Sequence, residues 1–179
     1  SNNVVRRSTT NQNSQRIELI SSSNNKIEGN VANENTDNGI SLDSSPSNTF
    51  KGNSMTNNGK GMIIISGASN LVIMNNFISN INEQARDFAN NIFDQNNKGN
   101  HWSNFDEASE GCFDANSNNV CDAPYVFPNN QDDFPYIPSW TNSNPSITTS
   151  PPLRAQQHSL YQYNIDATDP EADALVYGL

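Results

Sequence analysis

The segment from 112 to 122 contains oxygen-bearing residues at the spacing of a calcium-binding loop. Side-chain oxygens at loop positions 1, 3, 5 and 9, with a backbone carbonyl at position 7, let a tight turn wrap one hard cation. The residues at these positions are Asp114, Asn116, Asn118, Val120 and Asp122. Asn119 replaces the usual glycine of position 6, and Tyr125 replaces the usual glutamate of position 12. The pattern predicts a Ca²⁺ site, and an Asx-turn loop without metal is the alternative.

Two cysteines, Cys112 and Cys121, flank this loop. In a secreted protein such a pair is expected to form a loop-closing disulfide, and two buried free thiols are the alternative. A metal site built on the pair is disfavoured, because the chain has no other cysteine and His101 and His158 lie far away in sequence.

Aromatic residues are concentrated before and after the same loop. They are Trp102, Phe105, Tyr125, Phe127, Phe134, Tyr136 and Trp140. Aromatic faces suit pyranose rings, so Trp102, Phe105 and Tyr125 are candidates for a glycan-stacking platform. The preferred interpretation is a hydrophobic plug that covers the end of a core, because aromatic rings bury large apolar areas.

A repeat of about 23 residues precedes the aromatic region and must position it. Columns at this spacing are Ile17, Ile40 and Ile63; Leu19, Leu42 and Ile65; Ile27, Phe50 and Ile73; and Asn30, Asn53 and Asn76, with Val4 and Phe88 as extensions at the two ends. Apolar residues alternate with small or polar ones inside each unit, as expected of strands with one inward side. Clusters of Asn, Gly, Ser and Asp separate the strands and indicate turns.

A unit of this size with short strands and tight corners is typical of one coil of a parallel β-helix. Leucine-rich repeats have a similar length but a dense leucine pattern that is absent here. In stacked coils we expect the isoleucine, leucine and phenylalanine columns to fill a narrow core. We expect Asn30, Asn53 and Asn76 to form a ladder of side-chain amides. The predicted fold class is therefore all-β, with β-helix coils over residues 1–100.

The composition supports a thin core and excludes several function classes. Only 33% of the residues are hydrophobic and 16% are charged, while 33 are asparagine. Disorder is the alternative for such a composition, but low complexity would not hold apolar residues in a fixed phase. The net charge is −10 and the nine basic residues are scattered, so no nucleic-acid partner is expected. No apolar run approaches the roughly 18 residues of a membrane span.

Three segments after the repeat resemble the C-terminal end of NosD-like β-helix proteins of the carbohydrate-binding and sugar-hydrolase type. These segments are Gly99–Phe105, Asp114–Tyr125 and Gln131–Pro135. The resemblance covers about residues 16–140 and implies a right-handed parallel β-helix of a periplasmic or surface protein, with an irregular C-terminal cap over 101–140. His101, Phe105 and the pair Asn118–Asn119 depart from the family pattern.

A linker rich in Pro, Ser, Thr and Asn is predicted over 141–152. Residues 153–179 resemble the opening strands of a cadherin-like or immunoglobulin-like β-sandwich module, too short to complete its roughly seven strands. This resemblance implies a second candidate metal site at Asp169, Glu171 and Asp173. We expect further domains of the same chain at both ends.

These features favour a non-catalytic extracellular, cell-surface or periplasmic module that binds a polysaccharide or cell-surface glycan, or acts as an adhesin or scaffold. No catalytic residues are assigned, because the acidic and basic side chains of the coils do not share one column at the repeat spacing: Glu28, Glu34, Asp37 and Asp43, with Arg16, Lys26 and Lys51. The alternative is the C-terminal part of a polysaccharide lyase, epimerase or hydrolase whose catalytic coils lie upstream. Two isolated histidines, three methionines and a paired cysteine set give no support for a copper site.

Overall fold

Short parallel strands wind into a β-solenoid that is closed at its C-terminal end by an irregular cap. The structure, a computed structural model, describes residues 3–11, 17–141, 146–150 and 166–168. The strands are β1 (Val4–Arg6), β2 (Thr9–Asn11), β3 (Ile17–Ile20), β4 (Lys26–Glu28), β5 (Val31–Asn33), β6 (Asn38–Asp43), β7 (Thr49–Lys51), β8 (Ser54–Thr56), β9 (Lys60–Ile64), β10 (Leu71–Ile73), β11 (Asn76–Ile78), β12 (Glu83–Asp87), β13 (His101–Trp102), β14 (Tyr125–Phe127), β15 (Asn130–Asp132), β16 (Ser146–Ile147) and β17 (Ala167–Thr168).

Three parallel sheets form the sides of the solenoid. Sheet A has the order β1-β4-β7-β10, sheet B β13-β11-β8-β5-β2, and sheet C β12-β9-β6-β3. The chain visits sheets A, B and C in turn, so each coil contributes one strand to each side. Equivalent residues are separated by 22 or 23 positions in the first coils and by 21 to 25 positions in the last one. The predicted all-β parallel β-helix is confirmed.

The core is a set of columns in which each inward side chain lies over its counterpart in the next coil. Ile27 pairs with Phe50 and Phe50 with Val72 on sheet A, and Ala32, Met55 and Phe77 follow one another on sheet B. All six of these side chains are fully or almost fully buried. A fully buried side chain of this size stabilises the fold by about 1.5–3 kcal/mol. A narrow interior is therefore sufficient although the chain is poor in apolar residues.

The predicted column of Ile17, Ile40 and Ile63 is wrong at its third member. Ile17 pairs with Ile40, but Ile40 pairs with Met62, and Ile63 lies on the outer face opposite Ser41. The columns that were expected to include Ile65, Ile73 and Val4 shift by one residue in the same way. Their inward positions are taken by Ile64, Val72 and Val5.

A shorter corner between sheets B and C causes the shift on sheet C. Thr36 and Asp37 occupy this corner in one coil, and Gly59 alone occupies it in the next. A Cβ on Gly59 would lie 2.6 Å from the Thr36 carbonyl oxygen and 2.4 Å from that of Asp37. Only glycine fits this close approach of two backbones. The loss of one residue then moves every following side chain of the strand to the other face.

Buried asparagines form a ladder at each of the three corners. In every ladder the backbone N–H and the Nδ2 of one asparagine donate to the Oδ1 of the asparagine in the next coil, at 2.8–3.1 Å. The members are Asn25, Asn48, Asn70 and Asn91; Asn30, Asn53, Asn75 and Asn100; and Asn35, Asn58 and Asn80. These bonds satisfy corner backbone groups that water cannot reach.

The amide ladder was predicted with Asn76 as its third member, and this position is wrong by one residue. Asn75 continues the ladder from Asn53, with Nδ2 also donating to the Phe50 carbonyl oxygen at 3.0 Å. Asn76 points outward instead. Its amide exchanges two hydrogen bonds, of 2.7 and 2.9 Å, with the backbone of Trp140, and so holds the end of the cap against sheet B.

The cap contains a short 3₁₀ helix at Ala108–Glu110, a disulfide and an antiparallel hairpin of β14 and β15. The Cys112–Cys121 disulfide has a Cα–Cα distance of 5.0 Å, which confirms the predicted pairing. The chain divides into two compact units, 1–140 and 141–179. In the described part of the second unit, β16 pairs antiparallel with β17. The linker and β-sandwich assignments remain predictions, since most of residues 142–179 lie outside the described ranges.

Candidate functional site

Apolar side chains are exposed along one column on the outer face of sheet C. Ile20, Ile65 and Phe88 are 59%, 50% and 55% exposed. Ile20 pairs with Asp43. Leu42 pairs with Ile64 and Ile64 with Asp87, so the residues that follow them, Asp43, Ile65 and Phe88, continue the same column. We call Ile20, Ile65 and Phe88 the outer apolar strip. Exposed apolar surface of this kind commonly marks a contact site.

Polar groups flank the strip at defined positions. The Arg86 guanidinium lies 5.7 Å from the centre of the Phe88 ring and is ion-paired with Glu83, whose hydrogen bond raises the pKa of the arginine. Hydroxyl groups of Ser66 and Ser44 donate to the Asp43 carboxylate and lower its pKa. The strip is therefore interrupted between Ile20 and Ile65 by the Asp43 carboxylate, and it is bordered by the Arg86–Glu83 ion pair and the two serine hydroxyls.

The three residues proposed as a glycan-stacking platform lie inside the cap. Trp102 has no exposed surface, because it is stacked between Phe77 at 4.2 Å and Tyr125 at 4.5 Å between ring centres. Tyr125 is 9% exposed, and Phe105 packs against it at 5.4 Å. Burial raises the pKa of the Tyr125 phenol. The geometry favours the hydrophobic plug over the platform, since both faces of the indole are already covered.

Each asparagine ladder ends on an acceptor side chain beyond its last asparagine. Asn91 donates to both carboxylate oxygens of Asp87, Asn80 donates to Gln84 Oε1 at 2.7 Å, and Asn100 donates to Asp132 Oδ2. Because the ladders all run in one direction, the last amide in each has donors left over. A carboxylate satisfies them well, since it accepts without donating.

Two of these acceptors connect the last coil to the hairpin. Asp87 also accepts from Asn130 Nδ2 at 2.7 Å, and its backbone N–H donates to the Pro128 carbonyl oxygen. Asp132 belongs to β15 itself and also accepts from Trp102 Nε1 at 2.9 Å. Burial raises the pKa of Asp132 to about 7, against the opposing effect of its hydrogen bonds. Neither aspartate was predicted to end a ladder, because that role follows from ladder direction, which residue spacing does not show.

The predicted calcium loop folds back on its own carboxylates. Asp114 accepts the backbone N–H groups of Asn118 and Asn119 at 3.0 and 2.9 Å, and Asp122 accepts that of Ala115 at 2.8 Å. Asn116 and Asn118 each accept one backbone N–H within the loop. Asn119 has a φ of 66°. That is the left-handed backbone which glycine normally supplies at position 6. Asp169, Glu171 and Asp173 lie outside the described residues.

The imidazole and sulfur atoms named below, from the described coils and cap, are buried or bonded to other groups. His101 is 4% exposed, with Nδ1 3.1 Å from the Tyr136 carbonyl oxygen and Nε2 3.7 Å from Asp106. Burial raises the pKa of Asp106, against the opposing effect of His101. Both cysteines are in the disulfide, and Met55 and Met62 are fully buried. Within the described ranges no three His, Cys, Asp or Glu residues converge as a metal-binding group.

The acidic residues of the coils are also dispersed. Glu28 is paired with Arg6 at 2.7 Å on sheet A, and Asp43 lies on sheet C. Glu34 and Asp37 lie at the corner between sheets B and C, where each has an interaction partner. The structure does not bring these four together.

A family model described as "Periplasmic copper-binding protein (NosD)" matches residues 1–107, which are most of the solenoid and the start of the cap. This chain belongs to the NosD family. No curated protein and no solved structure matches it. The NosD-like resemblance is thus confirmed over residues 1–107, as is a periplasmic or extracellular location at the level of the family. In the described ranges no helix is long and apolar enough to cross a membrane.

The sequence pattern of this NosD-family protein did not predict the exposure of Phe88. Phe88 was assigned to an inward column, and its neighbour Asp87 occupies that inward position instead. A signal was available, since the one-residue shift at Gly59 carries through to β12. Reading Gly59 as a corner shortened by one residue would have placed Phe88 outside.

Proposed function

We propose that this NosD-family protein is a non-catalytic periplasmic or extracellular module that binds a polysaccharide along the outer apolar strip. The observation that carries the proposal is the exposure of the Phe88 ring beside Ile65 on the same side of sheet C. An extended glycan presents apolar ring faces with hydroxyls at their edges. Phe88 and Ile65 complement the faces, and Arg86, Asp43 and Ser66 provide hydrogen-bonding partners for the hydroxyls.

The charge of the chain selects among polysaccharides. With a net charge of −10, the protein repels polyanions such as pectin and alginate over distances of about 8–10 Å at moderate salt. Arg86 is neutralised by Glu83 and Arg6 by Glu28. A neutral polysaccharide or cell-surface glycan is therefore the proposed ligand. An adhesin or scaffold role would use the same surface.

Binding to immobilised neutral and acidic polysaccharides tests this function. Wild-type protein should bind neutral polymers in preference, and Phe88→Ser should raise the Kd by at least tenfold, or about 1.4 kcal/mol. Phe113→Ser is the matched control, because Phe113 is 59% exposed in the cap, away from the strip. Equal loss of binding in the two variants, or no binding by the wild type, would refute the strip as the site.

The catalytic alternative is separated by the same samples. Incubation with these polymers should release no new reducing ends and no unsaturated products. No observation within the described coils favours catalysis, since Glu28, Glu34, Asp37 and Asp43 lie apart on different sheets and corners. Product formed by this chain would reverse the assignment.

The metal sites remain predictions of different strength. Copper is not proposed for the described residues, because their histidine, cysteine and methionine donors are buried or bonded. The Ca²⁺ site at 114–122 is favoured by the left-handed conformation of Asn119. Calorimetric titration of Ca²⁺ into chelator-treated protein should give saturable heat that Asp114→Ala abolishes. Absence of both heat and a shift in Tm would leave the Asx-turn loop as the correct interpretation.

A further inference from the structure

Asp132 is one of two buried aspartates that join the hairpin to the last coil, and the other is Asp87 of β12. Its side chain has no exposed surface. The carboxylate belongs to β15, while three of its donors belong to the end of the solenoid: the backbone N–H and Nδ2 of Asn100 and Nε1 of Trp102. One side chain from the cap thus completes an amide ladder that runs through the coils.

The hydrogen bonds on the two oxygens of Asp132 are unequal. Oδ2 receives the three donors from Asn100 and Trp102, at 2.6, 3.1 and 2.9 Å. Oδ1 receives the backbone N–H of Phe134 at 3.0 Å. A proton added at Oδ1 competes with that one bond and leaves the three bonds to the coil in place. The neutral acid therefore keeps the connection between hairpin and solenoid.

The ionised acid is held at a cost, because its surroundings are largely uncharged. Burial is the largest influence on its protonation, and the opposing groups are the N–H donors of Asn100, Trp102 and Phe134. The titratable side chains on the neighbouring segments have other partners or are exposed. Asp94 accepts the Asp133 N–H, the Asp133 side chain bonds Gln131, and Lys98 is exposed. His101 faces the Tyr136 carbonyl oxygen, and Tyr125, the register partner of Asp132, bonds Asn104.

We propose that Asp132 makes the β14–β15 hairpin a pH-responsive latch, which holds the hairpin tightly on the last coil in mildly acidic solution and loosens it in mildly alkaline solution. Opening lets the carboxylate reach water. It also separates Tyr125 from Trp102 and uncovers the indole. The latch uses no side chain of the proposed glycan surface, although the hairpin also bonds Asp87, which precedes Phe88.

The direction of the pH dependence follows from proton linkage. Burial raises the pKa of Asp132 from 3.8 to about 7. Below pH 3.8 the acid is neutral whether the hairpin is closed or open, and the closed state has its full stability. Between pH 3.8 and about 7 only the open state releases the proton, so opening becomes about tenfold easier per pH unit. Above about pH 7 both states are ionised and the dependence ends.

Hydrogen exchange of the Trp102 indole N–H in the whole chain tests the latch. After division by the intrinsic exchange rate, its protection should fall by about 100-fold between pH 5 and pH 8. Backbone amides of β6 should show no comparable change, because they report on the coils. In Asp132→Asn the pH dependence should vanish, whereas Asp133→Asn, in the exposed neighbour, should retain it.

A second measurement decides the question if Asp132→Asn does not fold. The ¹³C chemical shift of the Asp132 carboxyl in the wild-type protein should titrate with a midpoint near 7, together with the Trp102 indole N–H signal. A midpoint below 4, or Trp102 protection that is constant from pH 5 to pH 8, would overturn the latch.

Discussion

The coils and the cap both form a core from few apolar residues, but the side chains pack differently in the two regions. In the coils each side chain stacks on a similar one, so isoleucine lies on isoleucine and asparagine on asparagine. In the cap unlike groups meet: Trp102 lies between Phe77 and Tyr125, and Asp132 accepts from an amide and an indole. The coils are thus uncharged inside, and carboxylates are buried where the repeat stops.

This difference shows that the cap is needed because the ladders have a direction. Along each ladder the backbone N–H of an asparagine donates to the Oδ1 of the asparagine in the next coil, so any coil can accept from the one before it. The last coil cannot be satisfied by another copy of itself. It requires other acceptors, and these are Gln84 and Asp87 of β12 in the last coil and Asp132 of the cap.

The largest effect should come from placing a charge on the side of β9 that faces the core. Ile64→Asp places a charge in a core column where Ile64 is fully buried, and we expect loss of more than about 4 kcal/mol or failure to fold. Ile63→Asp puts the same charge on the outer face beside Arg86 and should change the free energy of unfolding by under about 1 kcal/mol. Urea unfolding followed by circular dichroism measures both. Similar losses in the two variants would mean that the register is misassigned.

A smaller effect should follow from placing a carboxylate within an asparagine ladder of the coils. Asn53→Asp removes the Nδ2 donor to the Ile27 carbonyl oxygen and brings a carboxylate to the Asn75 Oδ1. Leaving buried groups unpaired should cost about 3 kcal/mol. Asn57→Asp, exposed in the same coil, is the control and should stay within about 0.5 kcal/mol. If Asn53→Asp were equally mild, the ladder would contribute little to stability.

The smallest effect should come from opening the disulfide. Replacing Cys112 and Cys121 together by serine relaxes a loop whose ends are nine positions apart, and it should cost about 2–3 kcal/mol. Because the disulfide lies wholly within the cap, hydrogen exchange should accelerate there and stay unchanged in the amides of β6. Equal acceleration in both regions would show that coils and cap unfold as one unit.

Much of the solenoid could be predicted because repetition is visible in residue types. The Ile17–Ile40, Leu19–Leu42 and Asn30–Asn53 relations all hold in the structure. Prediction failed where neighbours were chemically alike. In Met62–Ile65 four consecutive apolar residues leave either face suitable for the core, and in Asn75–Asn76 two asparagines compete for one ladder position.

Less of the candidate site could be predicted, because its residues are exceptions to the repeat. The Cys112–Cys121 pairing was predicted from context and is confirmed. The exposure of Phe88 depends on a corner shortened by one residue at Gly59. The role of Asp132 depends on contacts with residues about 30 positions away.

Residue periodicity was enough to establish a parallel β-helix with asparagine corners, since stacking brings equivalent positions together whatever lies beyond them. Register and closure were decided by the folded chain. A single backbone contact at Gly59 selects which face each later side chain takes, and the direction of three hydrogen-bonded ladders selects where acidic groups must be buried. Both depend on atoms that meet only after the coils have stacked, so neither is visible in the spacing of residues along the chain.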